Sequence, residues 1–127
     1  MTKPAQRRVL LVEDEPLVSM LIADMLDELG YEVVRAGPDV EAASDAARTE
    51  TIQLAVLDLA IENGSTFPVA AVLHERGVPF IFITGLDISK ARDKFGGTVV
   101  LEKPFGAAAL DTALGKAERK HMSARSK

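Results

Sequence analysis

Four short apolar runs in this chain each end in residues able to do chemistry: Glu13-Asp14, Asp58, Thr84 and Lys103. Each run has strand character, and each break falls where the strand would stop. In a parallel α/β sheet the carboxyl ends of the strands share one edge, and ligands bind there. Three acids, a hydroxyl and a lysine would then converge on one pocket, which suits a hard cation together with a phosphoryl group. If the three carboxylates lie about 5 Å apart, each pair repels by about 3 kcal/mol at an effective dielectric near 20. Such a cluster must take up a proton, admit water or bind a cation. Oxygen ligands without histidine or cysteine point to Mg²⁺ or a similar ion such as Mn²⁺.

Asp58 has the strongest claim to be a nucleophile, because a carboxylate can attack a phosphoryl donor to give an acyl phosphate. A metal would offset the repulsion between carboxylate and phosphoryl oxygens. Lys103 would place a point charge on one phosphoryl oxygen, and Thr84 would donate its hydroxyl to another. The backbone amides of Ala60 and Gly85 can add donors, since small residues allow close approach. Taken singly, Lys103 reads as a surface lysine, Thr84 as a strand-end cap and each acid as an ordinary strand terminus. Proline follows Lys103, and only before proline is a cis bond cheap. A cis Lys103-Pro104 bond would aim the lysine into the pocket, whereas the residues alone favour an ordinary trans turn.

The elements that must position these groups follow from periodicity. Residues 8–12 form a β-branched and aliphatic run, read as a buried parallel strand. Residues 16–29 show a helical period, with Val18, Leu21, Ile22, Met25 and Leu29 on one face, Pro16 in the first turn and Gly30 as the stop. A strand at 32–35 is followed by a turn and an alanine-rich helix at 40–48 that Asp39 can cap. A third strand at 53–57 ends at Asp58, and Asn63-Gly64-Ser65 breaks the chain. A helix at 66–76, regular only after Pro68, stops at Gly77. A strand at 78–83 ends at Thr84-Gly85, a short poor helix follows at 89–94, a strand at 98–101 ends in Glu102-Lys103-Pro104, and a last helix spans 107–120. Five strands alternating with five helices favour a doubly wound parallel sheet.

The 127 residues suit one domain, with room after Pro104 for one helix and a tail. A hydrophobic content of 47% supports a packed core. Without cysteine there is no disulfide or thiolate chemistry, and His74 and His121 are too far apart in sequence for a local metal motif. Residues 1–8 lack the apolar core of a signal peptide and no stretch is long enough to span a membrane, so a cytoplasmic protein without membrane insertion is expected. The formal charge of −4 divides into −8 over residues 1–114 and +4 over 115–127. An acidic body argues against nucleic acid as a partner. The basic end reads as a solvated, fraying helix end or as a contact for an acidic partner or membrane.

Val12-Glu13-Asp14-Glu15-Pro16, Leu57-Asp58-Leu59, Ile83-Thr84-Gly85 and Glu102-Lys103-Pro104-Phe105 stand in order, each at a strand end. In this the chain resembles a two-component response-regulator receiver domain over residues 7–120, with a basic tail at 121–127. The resemblance implies a (βα)₅ fold with flavodoxin-like strand order 2-1-3-4-5. It implies Asp58 as phosphoacceptor, Asp14 as direct metal ligand and Glu13 as a metal-site acid acting through water. The metal site expected comprises Asp14, Asp58, Glu13 and the backbone carbonyl of Ala60. Thr84, Gly85 and Lys103 would hold the phosphoryl group, and the Lys103-Pro104 bond would be cis, reversing the reading from the residues alone.

Three departures stand out. The family often has a longer, proline-bearing loop where residues 60–64 stand, Gly85 replaces the usual alanine or other small residue, and Val100 stands where many members carry the aromatic that swings inward on activation. Phe82-Ile83-Thr84-Gly85-Leu86 also resembles a receiver subgroup with a Phe-Ala-Thr-Gly signature, often stand-alone and paired with atypical sensor kinases. Ile83 departs from its alanine and Asp87 from its aromatic.

The function implied is a stand-alone receiver phosphorylated by a sensor histidine kinase or histidine phosphotransfer protein. It would signal to a downstream protein through loops between Thr84 and Phe95, with mobility centred on 89–94. One alternative is a receiver-like interaction module that works without phosphorylation, motivated by Val100 and the altered loops. Another is an aspartyl phosphohydrolase, but the second residue past Asp58 is Ala60, where such enzymes carry a general acid.

Overall fold

The computed structural model describes residues 7–36, 39–61, 64–85 and 98–125. Its strands are β1 (Arg8–Val12), β2 (Glu32–Arg35), β3 (Leu54–Asp58), β4 (Ala60–Ile61), β5 (Gly64–Ser65), β6 (Phe80–Thr84) and β7 (Val100–Glu102). The helices are α1 (Pro16–Glu28), α2 (Val40–Thr49), α3 (Phe67–Arg76) and α4 (Ala107–Arg125). Five strands form one parallel sheet in the order β2-β1-β3-β6-β7, while β4 and β5 form a separate antiparallel pair. Without that small hairpin the order is the expected 2-1-3-4-5.

The strands read as unbroken apolar runs because both faces of the sheet are covered. Alternate side chains point to opposite faces. Leu10, Val12, Ala55, Leu57 and Phe82 pack on one side with Ala43 and Ala47 of α2 and Val69, Ala70 and Leu73 of α3. Val9, Leu11, Leu54, Val56, Ile81 and Ile83 pack on the other with Ile22 and Leu26 of α1 and Leu110, Ala113 and Leu114 of α4.

Local signals explain the helix ends. Asp39 accepts a hydrogen bond from Ala42 N at 2.8 Å and so caps α2. Gly77 closes α3 at φ 71°, a left-handed conformation that costs an L side chain, and its N–H bonds back to the carbonyls of His74 and Leu73. Its outer side is covered by His121, whose Cε1 lies 3.6 Å from where a Cβ would stand.

The structure corrects several expectations. Leu21 is 55% exposed and does not lie on the inner face of α1, which is built from Ser19, Ile22 and Leu26 with Val18, Met25 and Leu29 partly buried. Residues 78 and 79 precede β6, because Pro79 has no N–H to give to a ladder. Gly64–Ser65, expected only as part of a chain break, pairs with Ala60–Ile61. The last helix continues to Arg125, past the expected end at 120, so most of the supposed tail is helical. The helix expected at 89–94 lies outside the described residues.

Candidate functional site

The β1, β3 and β6 termini meet at one edge because their registers align: Val12 pairs with Leu57, and Asp58 with Ile83. Glu13 and Asp14 therefore leave β1 beside the end of β3, and Thr84 lies one residue past the partner of Asp58. Lys103 follows β7, and its N–H donates to the Thr84 carbonyl at 2.8 Å. The Lys103-Pro104 bond is cis. The residues alone favoured trans; the family resemblance anticipated the observed isomer.

Carboxylate oxygens of Glu13, Asp14 and Asp58 lie within 4.8 Å of one another. Lys103 Nζ donates to Glu13 Oε2 at 2.9 Å and to Asp58 Oδ2 at 3.0 Å. The Glu13 side chain is fully buried, that of Asp58 nearly so, and Lys103 retains a solvent-facing fraction. Asp14 is half-buried, and Thr84 is buried.

This crowding has a direct electrostatic effect. Burial pushes the Glu13 carboxyl up to about 7; the Lys103 ammonium opposes this, while its bond and repulsion with Asp58 add to it. For Lys103, burial acts downward, but its bonds to Glu13 and Asp58 outweigh it and raise the pKa. One lysine faces three acids, so the fully ionised cluster carries a local excess of two negative charges. Its donors are all oxygens, one carboxylate remains partly open, and a divalent cation would neutralise that excess. The residues thus fit Mg²⁺ chemically. Glu13 lies directly against Lys103, a contact that a role through water alone did not foresee.

Other expected positions are less tightly specified. Gly85 is exposed, and among the described residues a Cβ there would meet nothing within 4 Å. The Ala60 backbone pairs with Ser65 in the hairpin just past Asp58. Val100 is half-buried, pairs with Phe82 and packs against the core side that holds α2 and α3. The positions of Leu86, Asp87 and the expected loop up to Phe95 lie outside the described residues.

Sequence reading missed Thr66. It is fully buried, and its Oγ1 donates to the Asp58 carbonyl at 2.7 Å. The Ser65-Thr66 pair ahead of a helix was a usable signal, but it points to capping rather than to Asp58. The fold also brings His74 and His121 to one cleft of about 270 Å³ with Gly77 and Lys120. Separation in sequence did not reveal that proximity.

A parallel sheet in the order β2-β1-β3-β6-β7 with helices on both faces, carrying acids, a hydroxyl and a lysine at its carboxyl edge, defines a flavodoxin-like α/β domain with a polar site where ligands of such sheets bind. The chain matches the response regulator receiver domain over residues 9–115 and belongs to that family. It is 32% identical over 113 residues to the transcriptional regulatory protein PdtaR of Mycobacterium tuberculosis, covering 85% of this chain but only 55% of that protein. SdrG from Sphingomonas melonis Fr1 aligns with a TM-score of 0.79 and 32% identity, covering 89% of this chain and 97% of that one. A BeF₃-activated conformation of SdrG aligns at 0.73 and 33%, covering 90% and 98%. The receiver domain of sensor histidine kinase PA1611 from Pseudomonas aeruginosa, solved with magnesium in its active-site cleft, aligns at 0.76 and 27%, covering 89% and 98%.

Proposed function

We propose that this chain is a phosphorylatable receiver that accepts a phosphoryl group on Asp58 from a histidine kinase or histidine phosphotransfer protein. The observation that carries this reading is Lys103 Nζ held between Glu13 and Asp58 at the edge where the strands end. An Asp58 carboxylate oxygen attacks the phosphorus of a phosphohistidine. A P–O bond forms as the P–N bond breaks, and the imidazole leaves with the bonding pair and is reprotonated. Bound Mg²⁺ supplies positive charge that offsets repulsion between the carboxylate and the phosphoryl oxygens.

The chain's own groups do the rest. Asp14 and Glu13, with the Ala60 carbonyl, hold the cation beside Asp58. Lys103 exchanges a carboxylate partner for a phosphoryl oxygen, keeping its ammonium paired. The Thr84 hydroxyl and the Gly85 N–H donate to the remaining oxygens. The rearranged partners of Thr84 and Lys103 pass the change to the segments after β6 and β7, altering a protein-binding face. The expected setting is the cytoplasm; among the described residues no helix is long and apolar enough to cross a membrane.

The test is intact-mass measurement after incubation with a small acyl phosphate and Mg²⁺. The unaltered chain gains one phosphoryl group, and Asp58→Asn gains none. A labelled Asp58→Asn would remove Asp58 from its assigned role. A folded protein that never labels would support the interaction module, whose motive is the missing aromatic at Val100.

A further inference from the structure

Thr66 immediately precedes α3, where a threonine ordinarily turns its side-chain oxygen toward its own helix as an acceptor. Here it makes no such cap. Ser65 supplies the local bond instead, its Oγ accepting from Phe67 N at 3.0 Å. The Thr66 hydroxyl, fully buried, donates across eight residues to the Asp58 carbonyl at 2.7 Å. Its own N–H donates to the Leu59 carbonyl at 3.3 Å. On the opposite side, Leu59 N donates to the Ile83 carbonyl at 2.9 Å.

The peptide unit joining Asp58 to Leu59 is therefore gripped at both ends. Its carbonyl is held by α3's entry residue and its N–H by β6. Turning that peptide would turn the Asp58 side chain on one side and Leu59 on the other. Phe67, the next residue, is locked edge-to-face on Phe82 of β6, with centroids 5.7 Å apart, so the grip is mounted on the core.

Resting on the reading of Asp58 as phosphoacceptor, we infer that Thr66 is a positioning residue for phosphoryl acceptance. Its buried hydroxyl sets the peptide plane from which Asp58 is presented. It touches neither donor nor phosphoryl group and acts only through the Asp58 backbone. The short hairpin of β4 and β5 is what returns the chain so that Thr66 can reach Asp58.

The experiment compares Thr66→Val, which keeps shape and loses the donor, with Thr66→Ser, which keeps the donor and loses a methyl. Two readouts are taken on the full chain: stability by urea denaturation, and the initial rate of labelling by acetyl phosphate at saturating Mg²⁺. Thr66→Val is expected to label on the order of tenfold more slowly, because small misplacements of a reacting group are costly. Thr66→Ser is expected to label near the unaltered rate even though its lost methyl lowers stability. Should Thr66→Val not fold, Thr66→Ala removes the donor without placing a methyl against the carbonyl. Rates that follow stability rather than the hydroxyl would overturn the role of Thr66, as would full-rate labelling of Thr66→Val. An unaltered chain that does not label would overturn both this role and that of Asp58.

Discussion

Lys103 is the residue on which the site's charge balance turns. With Glu13 and Asp58 as its partners, replacing it by methionine leaves two buried carboxylates without their cation. We expect Lys103→Met to destabilise the Mg²⁺-free chain by about 1–3 kcal/mol, read from urea midpoints, with Mg²⁺ restoring part of the loss. Glu13 gives the second residue-scale prediction. Its ordinary pKa of 4.5 rises to about 7 in the folded chain, chiefly through burial. The folded state therefore binds this proton more tightly than the unfolded one. The resulting stability is fully present below 4.5 and is lost as pH rises through 7. Urea denaturation without Mg²⁺ at a series of pH values should show that decline, and Glu13→Gln should flatten it. Mg²⁺ competes with the same proton, so its apparent affinity should weaken as pH falls below 7 in a calorimetric titration.

Between elements, the aromatic contacts and one glycine decide how firmly α3 is held. Phe82 meets both Phe67 and Phe80 edge-on, with centroids 5.7 and 5.6 Å apart, and is fully buried. Phe82→Ala should cost about 3–5 kcal/mol in chemical denaturation. At the other end of α3, Gly77→Ala should cost about 1–2 kcal/mol, since φ 71° is unfavourable for any L side chain. Thermal melts that leave Gly77→Ala unchanged would show that the helix can close differently. The partner strand β7 offers Val100 at the register of Phe82, so the contact beneath the expected switch position is aliphatic against aromatic.

At the scale of the molecule, the site ties the sheet together. Its acids follow β1 and end β3, and its lysine follows β7, so a ligand there bridges strands from the centre to one edge. Mg²⁺ at about 100 times its Kd should stabilise the whole domain by about 2.7 kcal/mol, and chelation should remove that gain, both measurable as a shift in the unfolding midpoint. A smaller tie joins the chain's beginning to α4, where Arg7 forks onto Glu118, Nη1 donating to Oε1 at 2.9 Å. The bond to Glu118 raises the Arg7 pKa, with burial acting in the opposite direction. Both side chains are substantially solvent-exposed, so this pair weighs far less than the buried site.

Strand and helix order was legible because apolar runs and helical periods are local properties of the chain. The four chemical motifs stood out for the same reason, each marking the end of such a run. Periodicity was less able to say which helix face is covered: Leu21 has the right spacing for the core of α1, but its neighbours in space leave it in water. The hairpin after Asp58 was illegible because a two-residue pairing carries almost no periodic signal. Convergence is a different matter, since the registers Val12–Leu57, Asp58–Ile83 and Thr84–Glu102 together bring residues 13, 14, 58, 84 and 103 to one edge. The Lys103 isomer and the reach of Thr66 to Asp58 were also decided in three dimensions, because their partners lie on other elements. Residue types and local order were thus set by the chain itself. Distances, burial and the raised pKa of Glu13 arose only when packing excluded water and brought those charges together.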